Sequence, residues 1–386
     1  MAETADVIIV GAGIMGASTA YHLARMGAGR VVVLERDTVC SGSTALASGG
    51  IRHQYASRIG VELTLRSIVT YEGFAEEFGV DPQFRQHGYL LLIGSEDELA
   101  AARRAVALQQ SLGVDVQLLT PAETGRLCPY LETRDLAGAT YSPRDGYADP
   151  YLAATAIAAR ARELGVQIRQ QHEVVSIARG ASGSALTVAT REGDFEAPSV
   201  VIAAGAWSGV VGKLAGIEIP VTPRRRHKFM TAPFPTDRIP ATTPFIIGQH
   251  WNFSMRREGE GLLLGGGRKD EGSSFSTDND WDLAPEVVER AVHRVPALAD
   301  ARLMRAWTGL YEMTPDQTGI IGAVPGDAGM YVIAGFSGHG FMHGPIAGQL
   351  MAELIVHGEA RTLDISSLAF DRFARGALTL EPLTFV

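Results

Sequence analysis

Cysteine is nearly missing from this chain: Cys40 and Cys128 are the only two in 386 residues. Two thiols so far apart build neither a disulfide framework nor a thiolate-ligated zinc or iron–sulfur site, and they suit a reducing compartment. No run of eighteen apolar residues occurs, so no membrane-spanning helix is expected. An apolar strand pattern begins at Val7, which leaves no room ahead of it for a signal peptide, and the cytoplasm is the expected location. Positive charge is also short: 34 Lys and Arg against 43 Asp and Glu give a net charge of −9, which excludes a nucleic-acid partner from the first expectations. Repeats and low-complexity tracts are missing too, and a chain of this length holds two or three domain-sized units with a large core.

Glycine, by contrast, is plentiful and clustered. Val7-Ile8-Ile9-Val10 reads as a buried strand, Gly11-Ala12-Gly13-Ile14-Met15-Gly16 as a glycine-rich turn, and Ala17 to Met26 as a helix. Gly11 permits the tight turn, Gly13 lets a diphosphate approach the backbone, and Gly16 lets the helix pack against the strand. The diphosphate would rest on the unpaired amides at the helix N-terminus. A second strand, Val31 to Leu34, ends in Glu35, nineteen residues after Gly16, where a carboxylate accepts hydrogen bonds from ribose hydroxyls. Strand, turn, helix, strand and acid in this order predict a dinucleotide site. The following loop, Cys40 to Gly50, is small and polar; Ser43, Thr44, Gly49 and Gly50 supply donors for a diphosphate or a ring edge.

The rest of the chain alternates between two styles. Helices are predicted over Ile59–Phe78, Glu96–Leu112 and Tyr151–Leu164, with a capping box at Thr120–Glu123. Gln86–Ile93 and Ala139–Tyr141 read as strands of a new layer, whereas Gln167–Arg169 and Glu173–Ile177 read as strands returning to the first sheet. Val200 to Ala204 is a buried strand running into the small-residue turn Gly205-Ala206-Trp207. Between Leu214 and Leu310 short alternating strands with prolines, clearest at Arg224–Met230, Phe245–Ile247, Asn252–Met255 and Gly261–Gly265, predict an antiparallel sheet, with a helix over Pro285–Val295. Met330–Ala334 is again a buried strand, followed by a glycine-rich turn over Gly335–His343 and a helix with Pro345 at its start. The expected fold is α/β: a Rossmann-like dinucleotide domain, discontinuous over residues 1–85, 145–212 and 318–386, interleaved with a mostly antiparallel substrate domain over 86–144 and 213–317.

Three glycine-rich strand-to-helix turns occur, at 11–16, 204–209 and 335–344. A nicotinamide dehydrogenase needs the first; a longer cofactor with a large ring system uses the others. Gly338-His339-Gly340-Phe341 opens a helix whose amides suit the pyrimidine edge of a flavin, where negative charge develops on reduction. FAD is therefore expected rather than NAD.

These motifs carry a resemblance. Gly11–Gly16, Glu35-Arg36, Gly42-Ser43-Thr44, Gly49–Gln54, Ala203–Trp207, Trp307–Tyr311, Thr314-Pro315-Asp316 and Gly335–Phe341 together resemble the D-amino-acid-oxidase-like flavoproteins. The likeness is to the branch holding sarcosine oxidases, glycine oxidases and the flavin subunits of proline dehydrogenases, and it spans nearly the whole chain. It implies oxidation of an amine carbon, with hydride passing from Cα to flavin N5 and the imine then hydrolysing. It also implies that Arg52 pairs with a substrate carboxylate and that the Tyr311 ring lines the pocket. Val174 would meet adenine through its backbone, and His339, in the flavin loop, would either touch the ring or support its neighbours from behind rather than do acid–base work. His53 and His343 are further histidines weighed for the site, as is His227, either facing the pocket or belonging to a solvated charge run.

Departures from the branch carry their own expectations. Gly309 stands where monomeric sarcosine oxidases carry a flavin-linking cysteine, so non-covalent FAD is expected. Met342 replaces a lysine that helps hold the carboxylate, and the lysine that promotes reaction with oxygen falls near Leu263. Both replacements point to a less polar pocket and to a larger, partly apolar substituent beside an amino-acid head. The implied partners are an amine or amino-acid substrate and O2, giving H2O2, or else an electron-acceptor protein or quinone. A flavoprotein without catalytic activity is the remaining alternative. The chain is a monomer or a homo-oligomer on this reading.

Overall fold

The computed structural model describes residues 2–180, 185–268 and 270–381. Its centre is a six-stranded sheet in the order Ile320–Ala323, Met330–Ala334, Ser199–Ile202, Val7–Val10, Val31–Leu34, Gln167–Arg169. All neighbours run parallel except the first pair. Alternation within its strands sets the layers. Val7, Ile9, Val31 and Val33 pack toward the helices Ile14–Arg25, Pro150–Glu163 and Gly340–His357, while Ile8, Val10, Val32 and Leu34 pack toward a second sheet. Strands covered on both faces read as unbroken apolar runs, which is why these were legible.

That second sheet corrects the sequence reading. Val174–Arg179 does not return to the central sheet; it pairs with Leu186–Thr190, which pairs with Asp194–Ala197, which pairs with Glu3–Thr4. The strand buries Val174 and Ile177 and exposes the residues between, so it suits a layer with one wet face rather than a core strand. The long helix expected over Ile59–Phe78 also divides, into Arg58–Glu72 and Phe74–Phe78, at Gly73.

An eight-stranded sheet forms the other domain, in the order Leu303–Met313, Thr222–Thr231, Gly261–Gly266, Phe253–Glu258, Phe245–Gly248, Tyr89–Ile93, Gly138–Ser142, Gln117–Leu119. It is antiparallel except where Phe245–Gly248 meets Tyr89–Ile93. Helix Ala284–Arg294 covers one face through Ala284, Val287 and Ala291.

The last glycine-rich turn is shorter than the sequence suggests, because its helix spans Gly340–His357 and holds Pro345 inside it. A proline there removes the amide that would bond the carbonyl four residues back, at Phe341. The Tyr71 hydroxyl donates to that carbonyl instead, at 2.6 Å, so the helix survives its proline. Tyr71→Phe strands a buried carbonyl and is expected to cost about 1–3 kcal/mol, read as a lower urea midpoint of the apoprotein.

Two polar ties fasten the end of the chain. Glu381 accepts from the Ala56 and Ser57 amides at 2.7 and 2.9 Å, beside the start of helix Arg58–Glu72. Asp316 and Arg372, both fully buried, form a two-pronged pair at 2.8 and 3.0 Å.

Candidate active site

One cavity of about 730 Å3 runs from the C-terminal ends of the central strands to the eight-stranded sheet. At its first end the turn after Val7–Val10 is pressed against the turn after Ser199–Ile202. Gly11 has φ +105°, and a Cβ there would lie 2.6 Å from the Ala203 carbonyl oxygen. Gly13 caps helix Ile14–Arg25, and Gly13, Ile14 and Met15 reach the cavity wall. Gly16 lies behind the wall, its Cβ position 1.9 Å from the Gly11 carbonyl oxygen, so its part is packing. Glu35 and Arg36 follow along the same wall. The Glu35 carboxylate accepts from the Ala12 amide at 2.8 Å and the Asp37 amide at 3.0 Å, and the Arg36 guanidinium sits 4.0 Å above the Trp207 ring.

Further along, the loop from Cys40 brings Ser43, Thr44, Gly49 and Gly50 to the wall, with Val174 and the Ala204, Gly205 and Trp207 turn. Thr44 Oγ1 accepts from the Ile14 amide at 3.1 Å, while the buried Ser43 hydroxyl and Glu312 Oε2 have no hydrogen-bond partner among the described residues. Burial pushes the Glu312 carboxyl up to about 7, against the lowering effect of the Gly335 and Phe336 amides. Across from it, Gly338, Gly340, Phe341 and Met342 line the cavity at the start of the Gly340–His357 helix, and Gly309 and Tyr311 do so from Leu303–Met313. Gly338 has φ +93°, and a Cβ there would fall 2.6 Å from the Tyr311 ring. The first-turn amides of both cavity-facing helices lack intrahelical acceptors, and their macrodipoles favour anions.

Besides Gly16, several other predicted residues are off this wall. Arg52 is buried behind it; its guanidinium lies 4.3 Å over the Tyr55 ring, bonds the Gln54 carbonyl, and donates to His339 Nε2 at 3.2 Å. His339 faces the same way, toward Arg52 and Tyr55, and burial with the nearby Arg52 charge holds its imidazole well below its ordinary value. His53 is bonded through Nδ1 to Asp145 Oδ1 at 2.5 Å, in a buried network with Gln54. The short Gly50–Ile51 strand aims Gly50 at the cavity and leaves the next side chains to the layer beneath, a direction that the residue types do not encode. His343 is likewise buried, against Thr64.

The sheet side adds charge to a pocket expected to be less polar. Leu263 is buried on Gly261–Gly266 and off the wall, whereas Arg224, Arg226 and Lys228 of the neighbouring Thr222–Thr231 strand line it. Their neighbours in sequence, Arg225 and His227, turn to the opposite face and bond Glu271. The run from Arg224 to Lys228 is thus a strand with alternate cations turned inward, and only the alternation itself hinted at this.

Rossmann turns, ribose-side carboxylate, two helix N-termini and a roof of antiparallel sheet define a dinucleotide-binding oxidoreductase. The residues fit a flavin dinucleotide: Glu35 would hold the ribose, the turns at Gly11–Met15 and Ser43–Thr44 the diphosphate, and Gly340–Met342 the pyrimidine end. The chain matches the family described as FAD dependent oxidoreductase (DAO) over residues 6–354 and belongs to it; its cofactor is FAD. A FAD-dependent oxidoreductase domain-containing protein 1 of Bos taurus is 32% identical over 425 residues, covering 98% of this chain and 87% of that protein. Mitochondrial sarcosine dehydrogenase of Mus musculus is 30% identical over 388 residues, which cover 96% of this chain but 42% of the relative. Among solved structures, L-proline dehydrogenase from P. horikoshii superposes with a TM-score of 0.90 at 31% identity, over 98% of this chain and 100% of the other. No helix among the described residues is long and apolar enough to cross a membrane, and no cluster among them is placed to hold a metal.

Proposed function

We propose that this oxidoreductase oxidises the C–N bond of an amino acid or an N-substituted amino acid in the cytoplasm, with O2 as acceptor and H2O2 as product. The supporting observation is one cavity that joins the dinucleotide turns to a sheet wall bearing Tyr311, Arg226 and Lys228. Bound FAD supplies a two-electron acceptor for the hydride leaving the carbon next to nitrogen, and the imine then hydrolyses. The protein supplies orientation and charge. The wall cations attract the carboxylate, and the Tyr311 hydroxyl bonds carboxylate or amine. The N-terminus of Gly340–His357 stabilises negative charge at the pyrimidine edge. Arg52, reaching His339, positions the Gly338–Gly340 turn from behind rather than touching substrate.

A dehydrogenase that hands its electrons to a protein or quinone is the second reading, favoured by the similarity to two dehydrogenases of amino acids. Anaerobic titration with D- and L-amino acids, proline and sarcosine should bleach the flavin, and stopped-flow mixing with air should restore it faster than turnover. Slow reoxidation selects the dehydrogenase; an unbleached flavin with every amine overturns both.

A further inference from the structure

We propose that the substrate carries a second anionic group, a carboxylate on its side chain or N-substituent, and that its two carboxylates share Arg226 and Lys228 of the cavity wall, one on each cation. This rests on the amino-acid reading above and names the substrate class within it.

The two cations stand two residues apart on one face of Thr222–Thr231, about 7 Å from each other along the strand. Both reach the cavity. Neither has an acidic partner among the described residues. Glu271 is taken by Arg225 and His227 on the other face, Arg268 is paired with Asp280, and Glu173 with Arg191. Glu35 is bonded to the Ala12 and Asp37 amides. The Arg226 guanidinium instead lies 5.0 Å over the Tyr311 ring, which orients it without neutralising it.

The sheet around them is cut back to make room. On one side of each cation the opposite residue is a glycine, Gly309 across from Arg226 and Gly265 across from Lys228, while Trp307 flanks Lys228 on its other side. A Cβ on Gly265 would meet the Lys228 Nζ at 2.9 Å, and one on Gly267 would lie 3.6 Å from Arg226 Nη1. Cross-strand neighbours share a face, so side chains at these positions would cover the cations. Glycines leave both charged heads open to a ligand.

Charge then counts the ligand's groups. A buried cation without a counterion is costly. Burial and the neighbouring Arg226 and Arg256 push the Lys228 ammonium down to about 8, so its charge is held against a penalty that an arriving anion relieves. The α-carboxylate of an amino acid neutralises one of the pair, and the amine, neutral for hydride loss, neutralises none. The second cation selects a second carboxylate.

Matched pairs test this. Iminodiacetate against sarcosine varies the N-substituent, and glutamate against norvaline varies the side chain, in anaerobic flavin reduction at constant ionic strength. Unreactive succinate against butyrate, followed by perturbation of the flavin absorption band, reads binding without chemistry. In one or both amine pairs, and for succinate, the dianion should half-saturate at a concentration at least tenfold lower. Lys228→Met should bring the ratio to within twofold, and Lys228→Arg should restore it. Equal or better binding of monoanions, or a ratio untouched by Lys228→Met, overturns the inference. If no amine reduces the flavin but succinate keeps its Lys228-dependent advantage, the anion site stands and the amino-acid reading falls. If monoanionic amines reduce it and succinate has no advantage, the anion site alone falls.

Discussion

Gly11→Ala should yield protein that purifies without yellow colour, although its circular dichroism keeps the native shape. Two costs combine at this position. The backbone sits at φ +105°, which an alanine adopts only under strain, and the added methyl would overlap the Ala203 carbonyl at 2.6 Å. Relief requires the first and second glycine-rich turns to move apart, and both contribute wall to the same cavity. A penalty of about 3 kcal/mol lowers FAD affinity more than a hundredfold, measured by titrating apoprotein with FAD and following flavin fluorescence. Gly205→Ala serves as comparison: its φ is +53°, yet its Cβ position is 3.7 Å from the nearest atom, so strain acts there without overlap and the loss should be smaller. Equal losses at the two positions would refute the steric account.

Asp316→Asn should be among the most destabilising single changes in the chain. Asp316 and Arg372 exchange two hydrogen bonds in a place closed to water; Asp316 also accepts from the Thr379 amide at 3.2 Å, and Arg372 donates to the Thr318 carbonyl at 2.6 Å. Losing one partner of such a pair costs about 3–5 kcal/mol, because the other charge stays buried alone. The apoprotein should therefore unfold at a much lower urea concentration. Replacing both, as Asp316→Leu with Arg372→Met, should recover most of the loss. Acid gives a second readout. Burial raises the Asp316 carboxyl, but the Arg372 hydrogen bonds and charge outweigh it and leave the group below its ordinary value. Its stabilisation is complete above the unfolded-state value of about 3.9 and fades as pH falls through the lower native one. The wild-type protein should lose more stability than Asp316→Asn over that acid interval, and parallel slopes would show that the pair contributes nothing.

Much of the cofactor end was legible because its residues answer to local backbone demands. Gly11 needs a positive φ, Gly16 a close contact within five residues, and Glu35 a place at the end of the next strand; each leaves a mark in sequence. The family motifs Thr314-Pro315-Asp316 and Gly335–Phe341 were legible as a pattern, yet Asp316 works as the anchor of Arg372, fifty-six positions away, which no window of sequence contains. The substrate end was read least well. Arg52 and His53 carry suitable chemistry but point into the layer beneath the wall, a matter of strand direction and not of residue type. The Arg224–Lys228 run reads either as a strand facing the pocket or as a solvated charge cluster because both of its faces are polar, so hydrophobic alternation gives no sign of which face is turned inward. Val174–Arg179 was misassigned for a related reason: its partner strands, Leu186–Thr190 and Asp194–Ala197, went unread, and a strand cannot be placed without its neighbours.

The order of the central sheet has a bearing on how the protein is made. Val7–Val10 sits in the middle, Met330–Ala334 lies two strands away, and the cavity takes walls from both Gly13 and Gly340. A ribosome must deliver the chain through Gly340 before those walls can meet, so the growing chain exposes its first strands and glycine turns with no finished place for the cofactor. Flavin capture then waits for the Gly340–His357 helix, and vitamin shortage should leave a pool of colourless chains that already extend past that helix rather than stalled shorter fragments.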